Sequence, residues 1–549
     1  MRRLVAVGLA GLVACQAPAD DDDTLDDDDD VVVDDDDVVS PDDELTLGEE
    51  IVCSEPVDGP ERFFEDGVAR GLDRALSDPG AVDELLAYGH GGSTVAQDLE
   101  GDGDIDLVFG RLDGPPDIYL NDGQARFSRL EAELALPTER RFETTSVSGV
   151  DVDDDGRVDL LLGNGGWFLL FRGEGDGAFA AYEELHIEAE QPRKEFLTHA
   201  WGDPDGDNDL DLLLPSTSMG QGEGDPELIL FQDAGSWDDP LLLDNGVGTT
   251  TLLGLFTDVD SDHDQDVFIP SDLGPPSTLW ENDGGVFTEV ASAVGTDIVM
   301  AAMGIDAADI NGDGLLDYCM TDVGPLRCLQ SDASGIYLEP GPGLGLTPSD
   351  WVGQAGTVGW SFDFADFDAD GRLDAAQSSG PFPEEDIGND IDFFDWPDLL
   401  WFGDDDGRFA DVTADVGFGD IGNNVGLVTA DFDGDGFLDI VTAGPLRPPS
   451  LFMNRCSDGG WLLVDLVGPL GNVEGIGAAV EVRAGDHRQL REVQTLRGLS
   501  QGPSEVHFGV GARDRVDRVT VRWTDGTTSS FEDVPTRRRV TIAHPSRVE

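Results

Sequence analysis

One pattern governs what this chain can fold into: a nine-residue loop with an acid at positions 1, 3, 5 and 9, followed by a short apolar run. It occurs seven times, as DLEGDGDID, DVDDDGRVD, DPDGDNDLD, DVDSDHDQD, DINGDGLLD, DFDADGRLD and DFDGDGFLD, the fifth copy carrying Asn311 in place of the acid at position 3. The copies start at Asp98, Asp151, Asp203, Asp258, Asp309, Asp366 and Asp431, and successive starts lie 51 to 65 residues apart. Self-similarity at such a period marks a repeat architecture, in which each unit buries its apolar face against the next. Three or four like charges at these positions repel one another, so each loop calls for a counter-charge.

The spacing suits a hard divalent cation. Calcium takes about six to eight oxygen ligands, and alternating acids in a tight turn deliver several of them from one segment. The side-chain ligands this predicts are Asp98, Glu100, Asp102 and Asp106 in loop one, Asp151, Asp153, Asp155 and Asp159 in loop two, and Asp203, Asp205, Asp207 and Asp211 in loop three. Loop four offers Asp258, Asp260, Asp262 and Asp266; loop five offers Asp309, Asn311, Asp313 and Asp317. Loop six offers Asp366, Asp368, Asp370 and Asp374, and loop seven Asp431, Asp433, Asp435 and Asp439. Position 7 adds its backbone carbonyl, and the glycine usual at position 6 permits positive φ. Asn208 and His263 replace that glycine in loops three and four. Both types tolerate the left-handed region.

An EF-hand shares the opening acids but needs a bidentate glutamate at position 12 and flanking helices. Position 12 is Phe109, Leu162, Leu214, Ile269, Met320, Gln377 or Thr442, none of them a carboxylate. The segments after position 9, such as LVFG, LLLG, VFIP and IVTAG, read as buried strands. YCMT and AAQS in copies five and six are less apolar and are assigned by register. Further strands follow in IYLNDGQARFSRL, FLLFRGEGDGAFAAY, LWENDGGVFTEV and LLWFGDDDGRFADV, each an aliphatic-aromatic strand, a Gly-rich turn and a Phe-centred strand.

Four strands per repeat, seven times over, predict an all-β, seven-bladed β-propeller. Here the chain resembles the FG-GAP/VCBS calcium-binding propellers, the fold class of the integrin α-chain head, over residues 61–455. The last copy lacks a Phe-centred fourth strand after SLFMN, whereas ERFFEDGVARGL at 61–72 has that pattern and precedes loop one. It is expected to complete blade seven as a velcro closure, leaving no open edge. Cys319 and Cys328 fall on neighbouring strands of one hairpin and are paired on that ground. Cys53 and Cys456 flank the two closing strands and are expected to form the second bridge.

Beyond residue 456 the composition shifts, with 12 Arg and 13 acids over 457–549. WLLVDLVG, AAVEVRAG and RVTVRWTDG alternate as strands of a small β-sandwich-like domain. GNVEGIGAAVEVRAG, SQGPSEVHFGVG and VDRVTVRW resemble the ASPIC/UnbV domain, found after such propellers in the cartilage acidic protein family and its bacterial relatives. That resemblance implies no activity for named residues.

Residues 1–15 read as an export signal: MRR, then an apolar run too short to span a bilayer, ending in LVAC. The ending resembles a bacterial lipobox, which implies lipidation of Cys15, and Gln16 favours the outer membrane. An unlipidated chain would be secreted or periplasmic. Sixteen acids in residues 20–44 mark a disordered acidic tether, drawn over 16–60. Across the whole chain 116 acids face 31 basic residues, a net charge of -85 that argues against nucleic acid or an anionic bilayer as partner. Membrane contact is expected through the lipid anchor only.

Catalytic patterns are weak. GLSQG (498–502) has the GxSxG spacing but lies among β segments with no following helix, and GHGGS from Gly89 sits at a propeller first-strand position. The seven His show no metal-site spacing. Trp351, Trp360, Phe393, Phe394 and Trp396 lie in the two segments that break the repeat rhythm; as loops they would suit a contact surface, although Trp360 leads into a strand and fits the core. The chain thus reads as a calcium-loaded surface module for a surface protein, matrix component or glycan. The alternatives are a polysaccharide lyase or hydrolase with its site in the propeller channel, or a purely structural envelope protein.

Overall fold

The computed structural model describes residues 44–548 except 55, 58–61, 79–90, 132–133, 138–141, 186, 188–195, 218–225, 245–250, 273, 348–357, 381–396 and 420. Cys15, most of the acidic run, Gly89, Trp351, Phe393, Phe394 and Trp396 lie outside the described residues.

Seven antiparallel meander sheets follow one another along the chain. Their innermost strands are Thr94–Gln97, Ser146–Val150, Ala200–Gly202, Leu255–Thr257, Ile305–Ala308, Val358–Ala365 and Gly426–Ala430. Each pairs with the strand after its acidic loop, beginning at position 9: Asp106–Phe109, Asp159–Asn164, Asp211–Leu214, Asp266–Ile269, Asp317–Met320, Asp374–Gly380 and Asp439–Ala443. YCMT and AAQS are therefore strands despite their polarity. The inner strand of blade one packs against those of blades two and seven, which closes a β-propeller. Every loop joins two strands, so no EF-hand helices flank it.

Blade seven is completed from the other end of the chain. Phe63–Glu65 pairs antiparallel with Ser450–Asn454, with Phe63 opposite Asn454 and Glu65 opposite Phe452. Phe63 packs edge-on against Phe367 and Phe418, tying this closure into blade six. The Cys53–Cys456 bridge lies beside it with Cα atoms 5.7 Å apart, and Cys319–Cys328 is a directly opposed cross-strand pair.

Two expectations are corrected. In blade two the fourth strand is Glu183–Leu185, not the AFAAY segment; Gly173–Gly175 and Ala178–Phe179 form a separate small hairpin. Blade three does likewise, with Gln232–Asp233 and Ser236–Trp237 before its edge strand Leu241–Leu243. The apolar pattern marked a turn of the chain, and pairing register selected the later segment. Second, the tether cannot extend to residue 60, because Leu45–Leu47 pairs with Arg538–Ala543 and Ile51 N donates to Arg537 O at 2.8 Å.

The C-terminal β domain is present as expected, with Leu45–Leu47 added to one of its sheets. It is a sandwich of two four-stranded sheets, in the orders Leu45–Leu47, Arg538–Ala543, Gly460–Val467, Val506–Gly511 and His487–Glu492, Ala479–Ala484, Arg515–Arg522, Thr528–Pro535. Its core residues Val464, Val482 and Phe531 belong to one continuous apolar cluster with Phe168, Trp201 and Leu212 of blades two and three. The two regions therefore share one apolar core.

Candidate metal centre

Six of the seven loops share one hydrogen-bonding plan, and loop three keeps part of it. The position 1 aspartate turns inward and accepts backbone amides from positions 5 and 6: Asp431 takes Asp435 N at 3.0 Å and Gly436 N at 2.8 Å, and Asp366 takes Asp370 N at 3.1 Å and Gly371 N at 2.7 Å. The position 9 aspartate faces the other way with one oxygen and accepts an amide from the end of the third strand or, in blades two and three, from the small hairpin just after it. In blades one to seven that donor is Asn121, Gly173, Gln232, Asn282, Ser331, Gly403 and Asn454, at 2.7–2.9 Å. Its second oxygen takes the amide of position 2, as when Val259 N donates to Asp266 at 2.8 Å.

Loop three breaks the plan informatively. Position 2 is Pro204, which has no N–H, so Asp211 Oδ2 is buried without a partner, and Asp203 Oδ1 is in the same state. Single carboxylate oxygens of Asp203, Asp205 and Asp211 lie within 4.8 Å of one another. The triads Asp151, Asp153, Asp159 and Asp366, Asp368, Asp374 converge in the same way, as do Asp258, Asp260 and Asp262. Burial, then the neighbouring carboxylates, pushes Asp211 up to about 9, while Asp203 rises to about 7 and Asp266 to about 8, burial leading in each. Burial holds Asp366, Asp374, Asp431 and Asp439 well above the carboxylate range. An all-oxygen donor set with orphaned buried lone pairs fits a hard divalent cation.

Backbone conformation supports the same turn in every copy. Position 6 has φ of +72° at Asn208 and +83° at His263, so both substitutes adopt the left-handed region. Position 4 is also left-handed throughout, at Gly101, Asp154, Gly206, Ser261, Gly312, Ala369 and Gly434, a requirement the sequence hides where the residue is not glycine. Loop two differs electrostatically: Arg172 Nη1 donates to Asp159 Oδ2 at 2.7 Å, where it competes with a cation.

Functional residues outside the pattern join the blades. Asn121 Nδ2 donates to Phe432 O in loop seven at 2.9 Å, Asn282 Nδ2 to Pro204 O in loop three at 2.6 Å, and Asn454 Nδ2 to Phe367 O in loop six at 2.8 Å. Each clamps the loop of the preceding blade. The signal was present as a recurring Asn ending the third strand, in LND, END and MNR.

The sandwich sits over this loop face, and residues 492–501 enter the axial channel. There they meet the inner edge of every blade. Thr94 N donates to Leu499 O at 3.3 Å, Gly149 N to Gln501 Oε1 at 3.0 Å, Trp201 N to Thr495 Oγ1 at 3.1 Å and Asp258 N to Glu492 Oε1 at 3.0 Å. Arg497 pairs with Asp306 at 3.5 Å and Asp363 at 3.0 Å, and Leu427 N donates to Ser500 Oγ at 3.1 Å. Ser500–Gln501, at the centre of GLSQG, is a strand parallel to Thr94–Gln97, so this serine is a channel-filling residue with no nucleophile elbow around it. Trp360 is buried.

Such a fold and such loops define a propeller whose blades carry acidic, cation-suited turns on one face. Residues 98–162, 151–214 and 258–320 match the FG-GAP-like repeat, and residues 468–549 match the family described as ASPIC and UnbV. The chain therefore carries FG-GAP-like repeats followed by an ASPIC/UnbV domain. It is 29% identical over 189 residues to cartilage acidic protein 1 of Xenopus tropicalis, a match covering 32% of this chain and 28% of that protein. Among solved structures it is similar to an Agrocybe aegerita lectin that recognises non-reducing terminal N-acetylglucosamine (TM-score 0.39, 16% identity, 60% of this chain and 82% of that one). It is also similar to a putative 6-phosphogluconolactonase from Bacteroides uniformis (TM-score 0.39, 13% identity, 60% and 86%). Among the described residues no helix is long and apolar enough to cross a membrane. Two disulfides and these repeats suit an extracellular or cell-surface protein.

Proposed function

We propose that this chain is an exported binding module whose propeller is loaded with structural calcium through its acidic loops. It is held at the bacterial outer membrane or cell surface by a lipid on Cys15, with the acidic run as spacer. Its partner is a surface protein, matrix component or glycan. The observation that carries the calcium reading is the pair of buried, unpartnered oxygens on Asp203 and Asp211, lone pairs that a bound cation would satisfy. Repetition of the same turn in every blade supports a scaffold role. The channel, where a catalytic site was the alternative, is occupied by residues 492–501.

A ligand bound only by the native state raises stability by mass action. Thermal unfolding of the soluble chain with calcium and with excess chelator tests the first half; equal midpoints would overturn it. A glycan and protein array probed with and without calcium tests the second, the expected result being calcium-dependent retention without turnover.

A further inference from the structure

The seven loops differ in how they meet solvent. In loops one to five the residues at positions 3 and 5 are exposed apart from half-buried Glu100, although the Asp155 side chain, paired with Arg157, is only 29% exposed. In loops six and seven Asp368, Asp370, Asp433 and Asp435 are all half-buried, and Asp366, Asp374, Asp431 and Asp439 are buried behind them. The cover comes from the sandwich. A Cβ at Gly509 would lie 1.9 Å from Asp366 Oδ2, so the bare backbone rests directly on that carboxylate, and Gly511 N donates to Ala369 O at 3.0 Å. Over loop seven, a Cβ at Gly436 would lie 1.8 Å from Trp461 Cζ2, and His507 Nε2 is 3.1 Å from Gly436 O. Ala369, Phe437, Trp461 and Leu463 form one apolar cluster spanning both loops, with Cys456 of the Cys53 bridge packed against it.

We propose that loops six and seven are locked calcium sites, closed by the C-terminal sandwich, whereas loops one to five exchange calcium with solvent. The inference rests on the calcium reading above. An ion in loop six or seven cannot leave until the Trp461 and Gly509 segments lift, and that opening requires breaking the shared apolar cluster. Exchange then proceeds through a sub-global opening, whose population sets its rate. The two locked ions act as mortar between propeller and sandwich.

The test is a chase. The full soluble chain is equilibrated with radioactive calcium, its bound stoichiometry is measured by equilibrium dialysis, and release into excess chelator is followed. Two equivalents per chain are expected to leave roughly a hundredfold more slowly than the rest. Trp461→Ala and His507→Ala, neither of them a ligand, are expected to turn the slow phase fast with stoichiometry unchanged. Should Trp461→Ala not fold, Asp368→Asn and Asp433→Asn each remove one slow equivalent, whereas Asp260→Asn subtracts a fast one. Release of every ion in one fast phase, or a slow phase that survives both loop six and loop seven substitutions, overturns the proposal. Absence of bound calcium at dialysis equilibrium overturns the calcium reading itself.

Discussion

His507 Nε2 lies 3.1 Å from the carbonyl oxygen of Gly436, joining the C-terminal sandwich to position 6 of loop seven. Burial pulls the imidazole down to about 4, so it is neutral at physiological pH, and its Nε2–H is the group that can donate to this carbonyl. Trp461 stacks on the same ring, with centroids 6.2 Å apart. The sandwich thus reads the backbone shape of the loop rather than its carboxylates. Whatever holds the loop in shape also holds the domain in place.

Gly436→Ala is the direct probe of that contact. The residue has φ +90°, and its new Cβ would collide with Trp461, so backbone strain and overpacking add. A loss of about 2–4 kcal/mol is expected in urea unfolding with calcium present. Gly103→Ala is the control: φ is +92°, but nothing lies within 4 Å of the added atom, so only about 1 kcal/mol should be lost. Equal losses at the two positions would show that the Trp461 contact contributes nothing.

Asp211→Asn should change sign with calcium. Without metal, replacing this buried carboxyl by a neutral amide removes a group that burial has pushed up to about 9, and a gain of about 1–3 kcal/mol is expected. With calcium a ligand is lost and the midpoint should fall. Melting wild type and variant in chelator and in millimolar calcium distinguishes these, and a shift of the same sign in both would refute the ligand role.

The metal-free protein should grow more stable as pH falls from about 8.5 to 6.5. Asp106 and Asp317 rise to about 7 and Asp266 to about 8 in the fold, burial being the leading cause, so the native state keeps protons that the unfolded chain has released. Their stabilisation is complete below the unfolded carboxylate range and is lost as pH rises through the folded values. Below about 6.5 the trend is opposed. His199 and His507, lowered by burial to about 3 and about 4, stay neutral in the fold while the unfolded chain takes up protons. A rise on the order of 5 °C in chelator over the upper window is expected. It should vanish or reverse in calcium, because protons and metal compete for the same oxygens.

What could be read in the sequence was what repeats. Acids at fixed spacing located all seven loops, and the missing Phe-centred strand after SLFMN located its replacement at Phe63–Glu65, because both signals lie within a few residues. The left-handed position 4 is not legible in the sequence, since Asp154, Ser261 and Ala369 interrupt the glycines of the other copies. The edge strands of blades two and three escaped because Gly173–Gly175 and Gln232–Asp233 start hairpins of their own. Least legible was the entry of residues 492–501 into the channel. Contacts such as Thr94 to Leu499 or Gly149 to Gln501 span most of the chain and leave no local periodicity.

That long-range contact gives the last prediction. Gln501 is buried, accepts from Gly149 N at 3.0 Å and donates from Nε2 to Gly149 O at 2.6 Å, pairing both polar groups of an inner-strand residue. Gly149 is itself buried, so loss of these bonds is not made good by bulk water. Gln501→Ala strands a buried donor and a buried acceptor, a loss of about 2–4 kcal/mol. Gln501→Glu retains the acceptor and removes the donor, so its loss should be smaller at the low pH where the side chain is neutral. Removing residues 456–549 takes away this pair together with Thr495, Arg497, Glu492 and Ser500. The propeller alone should then lack cooperative unfolding and expose its channel and loop face. A residue 44–455 fragment with a sharp melt near that of the full chain would show instead that the ring closes unaided and that the sandwich is only a passenger.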